Sequence, residues 1–296
     1  MAADSPTILA TSGGYKPGAR TRLEFNKLVH HAVDLSSVTG RAPRIAHVGT
    51  ASGDQRWFNN EVSEAGNAAG FQLTHLNLFT MPNVANVEEY LLGQDVVWVN
   101  GGSVVNLLAV WRAHELDSIF RRVWEAGVVL AGVSAGSICW FKGGTTDSFG
   151  PELRAVSNGL GLLPYDNGVH YDSEAARRPL VHRLVADGTL GETHCTDDGV
   201  GLLYRGTDLA EVVGGAIALY LLFGLPLPLG AVIVGGVSML LLAFQARNRQ
   251  RPFEFIIIFL LGIITVGFLA GLFISPPDPA GVANYASSNG LQMDVP

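Results

Sequence analysis

Cysteine is nearly absent from this chain: Cys139 and Cys195 stand alone and far apart, with no Cys/His cluster around either. That excludes a disulfide framework and a Cys/His zinc site, and it suits a reducing compartment. An excess of positive charge is missing too. The formal net charge is −7 and no basic stripe runs along any segment, so nothing would track a phosphate backbone and no nucleic-acid partner is expected. The N-terminus, Met1-Ala-Ala-Asp-Ser-Pro6, has no basic stretch followed by an apolar one. A cleaved secretory signal is therefore not expected, and the first domain should stay in the cytosol. Internal repeats and Gly/Ser- or Pro-rich spacers are absent as well.

A chain of 296 residues admits one large domain or two modest ones. Charge placement decides between them. Up to Glu211 acidic, basic and apolar residues are mixed as in a water-soluble domain, whereas from Val212 to Ser275 nearly everything is apolar. This is a change of solvent, from water to lipid, and it occurs abruptly. The expected organisation is a hydrolase-like domain over 1–207, three apolar helices over 208–275 and a polar tail over 276–296.

Within the first domain, short apolar runs at 7–10, 44–48, 72–78, 96–99 and 128–132 read as strands. Between them, 22–35, 58–69 and 104–126 carry apolar residues at helical spacing. The alternation predicts an α/β domain with a mostly parallel sheet flanked by helices. Such sheets bind ligands beyond the carboxyl ends of their strands, which directs attention to loops 11–16, 49–55, 100–103 and 133–137.

The strongest local pattern is Gly132-Val133-Ser134-Ala135-Gly136-Ser137, between the apolar run from Val128 and an apparent helix at Ile138. A sharp strand-to-helix elbow needs small residues around a nucleophilic serine, because the backbone must lie close to the reacting carbonyl, and the Ala135 N–H then faces the developing oxyanion. A second small-residue turn, Asn100-Gly101-Gly102-Ser103, also follows a strand and precedes a helix. Its glycine N–H groups suit the other half of an oxyanion hole, while Ser103 equally suits a helix N-cap. Of the eight histidines, His170 is the best candidate base, because it follows the serine on an exposed strand end within Asn167-Gly-Val-His-Tyr-Asp172. His30 and His31 fall in a helix and His47 in a buried strand; His75, His114, His182 and His194 have no small-residue loop beside them. The carboxylate that would orient the base is Asp198, Asp197 or Asp147, and spacing does not choose among them.

Taken in order, Asn100-Gly-Gly-Ser, Gly132-Val-Ser-Ala-Gly-Ser, Thr145-Thr-Asp, Gly159-Leu-Gly-Leu-Leu-Pro, Val169-His-Tyr and Asp198-Gly-Val-Gly resemble the aspartyl dipeptidase (peptidase E) family and its cyanophycinase-like relatives. The resemblance implies a fold like that of class I glutamine amidotransferases, with serine in place of cysteine. It implies Ser134 as nucleophile, His170 as base, Asp198 as third member where dipeptidases typically hold a glutamate, and Asp147 as a second functional carboxylate. Gly102 and Ala135 would donate to the oxyanion. It further implies a small peptide substrate with N-terminal aspartate, whose side chain pairs with an arginine downstream of the histidine. Arg177 and Arg178 stand there, in an Ala-Ala-Arg-Arg register that departs from the dipeptidase motif. No cofactor is implied.

The apolar tail divides into 212–225, 226–244 and 253–274, the last two long enough to span a bilayer core of about 20 residues. Arg247, Arg249 and Arg251 lie between the second and third stretches and should face the cytoplasm. Three spans then keep the hydrolase on the cytoplasmic side of the membrane. Thr207-Asp-Leu-Ala-Glu-Val-Val-Gly-Gly-Ala-Ile-Ala-Leu, Gly230-Ala-Val-Ile, the arginine loop and Phe253-Glu resemble the third to fifth helices of Nramp divalent-metal transporters. That family holds its metal through the first and sixth helices, which have no counterpart here, so Asp208 and Glu211 are not assigned as metal ligands and no metal site is expected. The segment from Thr207 fits both resemblances, as a last hydrolase strand or as a first transporter helix, and the apparent chimera would lack the hydrolase's final strands.

Overall fold

The computed structural model describes residue 3 and residues 5–214. Beyond residue 214, the three expected spans and the polar tail lie outside the described residues; within 208–275, the described start is strand rather than helix. Among the described residues, no helix is long and apolar enough to cross a membrane.

The chain begins with β1 (Thr7–Thr11), then a hairpin of β2 (Tyr15–Pro17) and β3 (Leu23–Phe25) leading into α1 (Lys27–Leu35). Next come β4 (Arg44–Val48), α2 (Arg56–Ala68), β5 (Gln72–Leu76), α3 (Val87–Leu92) and β6 (Val96–Val99). Helices α4 (Val104–Ala113) and α5 (Leu116–Glu125) precede β7 (Val129–Val133) and the short α6 (Ala135–Ile138). A second set follows: β8 (Gly143–Thr146), β9 (Arg154–Val156), β10 (Asp166–Gly168), α7 (Arg177–Ala186) and β11 (Thr193–Cys195). Finally β12 (Gly201–Arg205) and β13 (Asp208–Val212) return to the first sheet.

The main sheet has seven strands in the order β13-β12-β1-β7-β6-β4-β5. Strands β1, β7, β6, β4 and β5 pair in parallel, and β12 and β13 add antiparallel to the β1 side. Central strands buried on both faces must be continuously apolar, and β7 (Val-Leu-Ala-Gly-Val) and β6 (Val-Val-Trp-Val) are buried at every position. Helices cover both faces. α1 turns Leu28, Val29, Ala32 and Val33 onto one side, capped at its start by the Asn26 side chain accepting from the Leu28 N–H. On the other side α4 and α5 bury Leu107, Trp111, Phe120 and Val123 in one apolar cluster with Trp140 and Phe141.

Two sequence expectations are revised. The expected helix 22–35 starts only at Lys27, because residues 23–25 pair with β2. The expected helix 104–126 is two helices, because Glu115 adopts a positive φ of 57° and breaks the 3.6-residue periodicity. Asp208–Val212, which read as strand or helix, is a strand. Its residues pair with β12, so the sheet extends beyond the boundary drawn at 207.

The smaller sheet has the order β11-β10-β8-β9, with β8, β10 and β11 parallel. The carboxyl ends of those three strands therefore lie along one edge. Asp147, His170 and Asp198 each follow one of them.

Candidate active site

Ser134 leaves β7 with φ 57° and ψ −113°, a combination that a non-glycine residue holds only when its surroundings impose it. The surroundings here are backbone. The Ser134 N–H donates to the Thr11 carbonyl at 3.0 Å, and the Ser134 carbonyl accepts from Ser137 and Ile138 at 2.9 Å each. A Cβ at Gly132 or Gly136 would run into the Val99 carbonyl, so glycine on either side of the elbow lets β7 and α6 press against β6. As the first residue of α6, Ala135 keeps an N–H with no intrahelical acceptor.

The turn after β6 lies against this elbow. A Cβ placed on Gly101 would sit 3.3 Å from the Ser134 Cβ. Gly102 has φ 138° and a Cβ there would run into the Ala51 carbonyl oxygen, which accepts from the Ser103 N–H at 2.9 Å. Ser103 Oγ accepts from the Asn106 N–H at 3.2 Å and is the N-cap of α4.

His170 also has a positive φ, 52°. Its N–H donates to Ser12 Oγ at 3.0 Å, and that hydroxyl is linked to Thr196 Oγ1 at 2.6 Å and donates to the Thr196 carbonyl at 3.1 Å. One buried hydroxyl at the end of β1 thus ties together the loops carrying His170 and Asp198. His170 Nδ1 lies 2.5 Å from Asp198 Oδ1. A carboxylate there accepts the Nδ1 proton and leaves Nε2 free to act as a base. The Asp198 N–H donates to Asp172 Oδ1 at 2.8 Å, a bond that holds the Asp172 carboxyl below its ordinary range. A further buried tie joins the elbow to the histidine's strand: Ser137 Oγ donates to Asn167 Oδ1 at 2.9 Å, and Asn167 Nδ2 donates to the His194 carbonyl at 2.8 Å.

Ser134, His170, Gly102, Ser103, Asp147, Ser148, Gly150, Glu174 and Arg177 line one open cleft of about 560 Å³. Among the described residues, no hydrogen bond joins Ser134 to His170; contacts of this kind commonly tighten only when substrate is bound. Of the three candidate aspartates, Asp198 meets His170, Asp147 lines the cleft and Asp197 sits in an exposed turn closed by Val200. The two arginines also part company. Arg177 is buried in the cleft wall, whereas Arg178 points outward with its guanidinium carbon 4.9 Å from the centre of the Tyr171 ring. Sequence reasoning missed Ser12, Thr196 and Glu174. Ser12 lay in a flagged loop, but its partners are brought to it by crossovers that no local pattern announces.

A sequence profile of Peptidase family S51 matches residues 8–212. An uncharacterized peptidase of Bacillus subtilis, YgaJ, is 37% identical over 206 residues, covering 70% of this chain and 86% of YgaJ. Two crystal structures share the fold at 15% identity. One, of a peptidase E protein from Listeria monocytogenes, has a TM-score of 0.51 and covers 69% of this chain and 96% of that one. The other, of a peptidase from an acI-B1 actinobacterium, has a TM-score of 0.53 and covers 71% and 88%. A second profile, natural resistance-associated macrophage protein-like, matches residues 199–288. There the divalent metal cation transporter MntH of Mycobacterium tuberculosis is 54% identical over 76 residues, which is 26% of this chain and only 18% of MntH. The two matches overlap at 199–212, where the chain forms β12 and β13 of the main sheet. The chimeric character expected at Thr207 is thus present in the comparisons, and over its greater part the chain belongs to Peptidase family S51 as a serine-type peptidase.

Proposed function

We propose that the enzyme hydrolyses small peptides, dipeptides with N-terminal aspartate among them, through a Ser134-His170-Asp198 triad and an acyl-enzyme. Ser134 Oγ attacks the peptide carbonyl while His170 Nε2 takes its proton. The same nitrogen then returns that proton to the leaving amine as the C–N bond breaks. The N–H groups of Gly102 and Ala135 receive the oxyanion. Water, deprotonated by His170, then attacks the ester carbonyl and releases Ser134. Asp147 is a second carboxylate in the cleft, and Arg177, seconded by Arg178 at the rim, supplies the positive charge for an aspartate side chain. No cofactor takes part in these steps.

One observation carries this reading: a strained serine elbow opens on the same cleft as a histidine whose Nδ1 contacts a carboxylate. The test is hydrolysis of Asp-Leu and Ala-Leu by the full-length chain in detergent, with Ser134→Ala as control. Serine-dependent cleavage that favours Asp-Leu is expected, and no cleavage by folded protein would overturn it.

The match to part of a membrane transporter supports a second element of the proposal, that residues beyond Val212 tether the peptidase to the cytoplasmic side of a membrane. Arg247, Arg249 and Arg251 favour that side. Protease digestion of sealed vesicles checks it: digestion of the peptidase domain only from the cytoplasmic side is expected, and protection from that side would contradict it.

A further inference from the structure

The cleft contains an ion pair between Arg177 and Glu174, and the steps above leave Glu174 without a role. Arg177 Nη2 donates to Glu174 Oε2 at 2.6 Å, while Nη1 donates to the Thr145 carbonyl and to Thr145 Oγ1 at 3.2 Å. The Nε is buried without an acceptor. Glu174 belongs to the same turn as the histidine: its N–H donates to the His170 carbonyl at 3.1 Å, and its own carbonyl accepts from the Arg177 N–H at 2.8 Å. Both side chains line the cleft with Ser134 and His170.

The partners differ in freedom. The Arg177 side chain is 2% exposed and is fixed to the end of β8 through Thr145 whether or not Glu174 is present, whereas the Glu174 side chain is 38% exposed. Glu174 is therefore the one that can swing into solvent. A buried guanidinium left without any anion is strongly unfavourable, so the low-cost event at this site is the exchange of one carboxylate for another. A carboxylate already seated on Arg177 is an occupant, and the seat lies in the same cleft as the nucleophile.

We propose that Glu174 is a specificity-determining residue that occupies, in the free enzyme, the place on Arg177 taken by a substrate carboxylate. This rests on the reading of the cleft as a peptidase site. An acidic substrate side chain displaces Glu174; a neutral one leaves it seated. Only the fraction of enzyme with Arg177 vacated binds an acidic group, and the apparent affinity for that group falls by the same fraction.

The test is Glu174→Gln in the full-length chain, which keeps the side-chain volume and removes its charge. The KM for Asp-Leu is expected to fall on the order of tenfold relative to the KM for Ala-Leu. An unchanged ratio, or one shifted towards Ala-Leu, overturns the proposal. Calorimetric titration of L-aspartate into Ser134→Ala, with and without Glu174→Gln, reads the same competition without catalysis. Tighter binding in the double variant supports the proposal, and equal or weaker binding overturns it. Should Glu174→Gln fail to fold, Glu174→Ala carries the same expectations. Failure of the peptidase reading is seen separately, as the absence of Ser134-dependent hydrolysis.

Discussion

A histidine–aspartate pair and a histidine–histidine pair stand in contrast in this domain, differing in partner and in burial. His170 meets Asp198 at the mouth of the cleft, with side chains 24% and 49% exposed. His47 meets His75 in the interior, Nδ1 to Nδ1 at 3.0 Å, with His47 fully buried. Burial, with a lesser contribution from the neighbouring ring, pushes the His47 imidazole down to about 3, and burial also lowers His75. The Ser63 hydroxyl donates to the Asn59 carbonyl, so His75 Nε2 must be the donor to Ser63 Oγ. His75 Nδ1 then accepts from His47 Nδ1, and His47 Nε2 is left as a buried lone pair without a partner. That pair stays neutral at physiological pH. A histidine becomes a base where a carboxylate stabilises its charged form and water or substrate can reach it.

The largest effects should fall on the cleft pair. Ser134→Ala or His170→Ala is expected to lower kcat by about 10⁴-fold or more, measured on dipeptides. Asp198→Asn should follow with a loss of roughly 10²- to 10⁴-fold, because an amide there no longer enforces the tautomer that leaves Nε2 free. Asp197→Asn, in the exposed turn, should change kcat by less than about twofold. Equal losses for the two aspartates would remove the distinction drawn between them.

The interior pair should govern stability. The folded-state values of His47 and His75 lie below the ordinary value of 6.5, so the unfolded chain binds more protons in this range. Stability should therefore decline as pH falls below about 6.5, with a slope approaching about 1.4 kcal/mol per pH unit from His47 and a contribution of the same sign from His75. For His47 the decline continues towards its folded value of about 3. Urea unfolding at pH 7 and pH 5 reads the slope, and His47→Leu should flatten it while leaving Ser134 reactive. A slope unchanged in His47→Leu would contradict the assignment. A small effect is also expected at Arg178, stacked on Tyr171 outside the cleft lining: Arg178→Ala should move KM for Asp-Leu by no more than about threefold, a surface-charge effect.

Much of the cleft's first half was legible in the sequence, because local chemistry builds it. The elbow at Ser134 and the turn at Gly102 are dictated by glycines that only a close backbone approach requires, and β4 and β6 match the apolar runs at 44–48 and 96–99. The second half was less so. β10 and β11 are three-residue strands, Asp-Asn-Gly and Thr-His-Cys, without apolar alternation, and they carry His170 and Asp198 only through the pairing of β10 with β8 and of β11 with β10. Spacing could not rank Asp198 above Asp197, since adjacent residues of one turn point to different places. For the same reason Arg177 and Arg178 looked equivalent, although one is buried against Thr145 and the other is stacked on a ring at the surface.

Labelling the full-length chain with a fluorophosphonate, followed by peptide mapping, tests the central claim most directly. Modification at Ser134, abolished by His170→Ala and retained in His47→Leu, is the predicted result. Equal labelling of His170→Ala and wild type, or modification at another serine, would contradict the account.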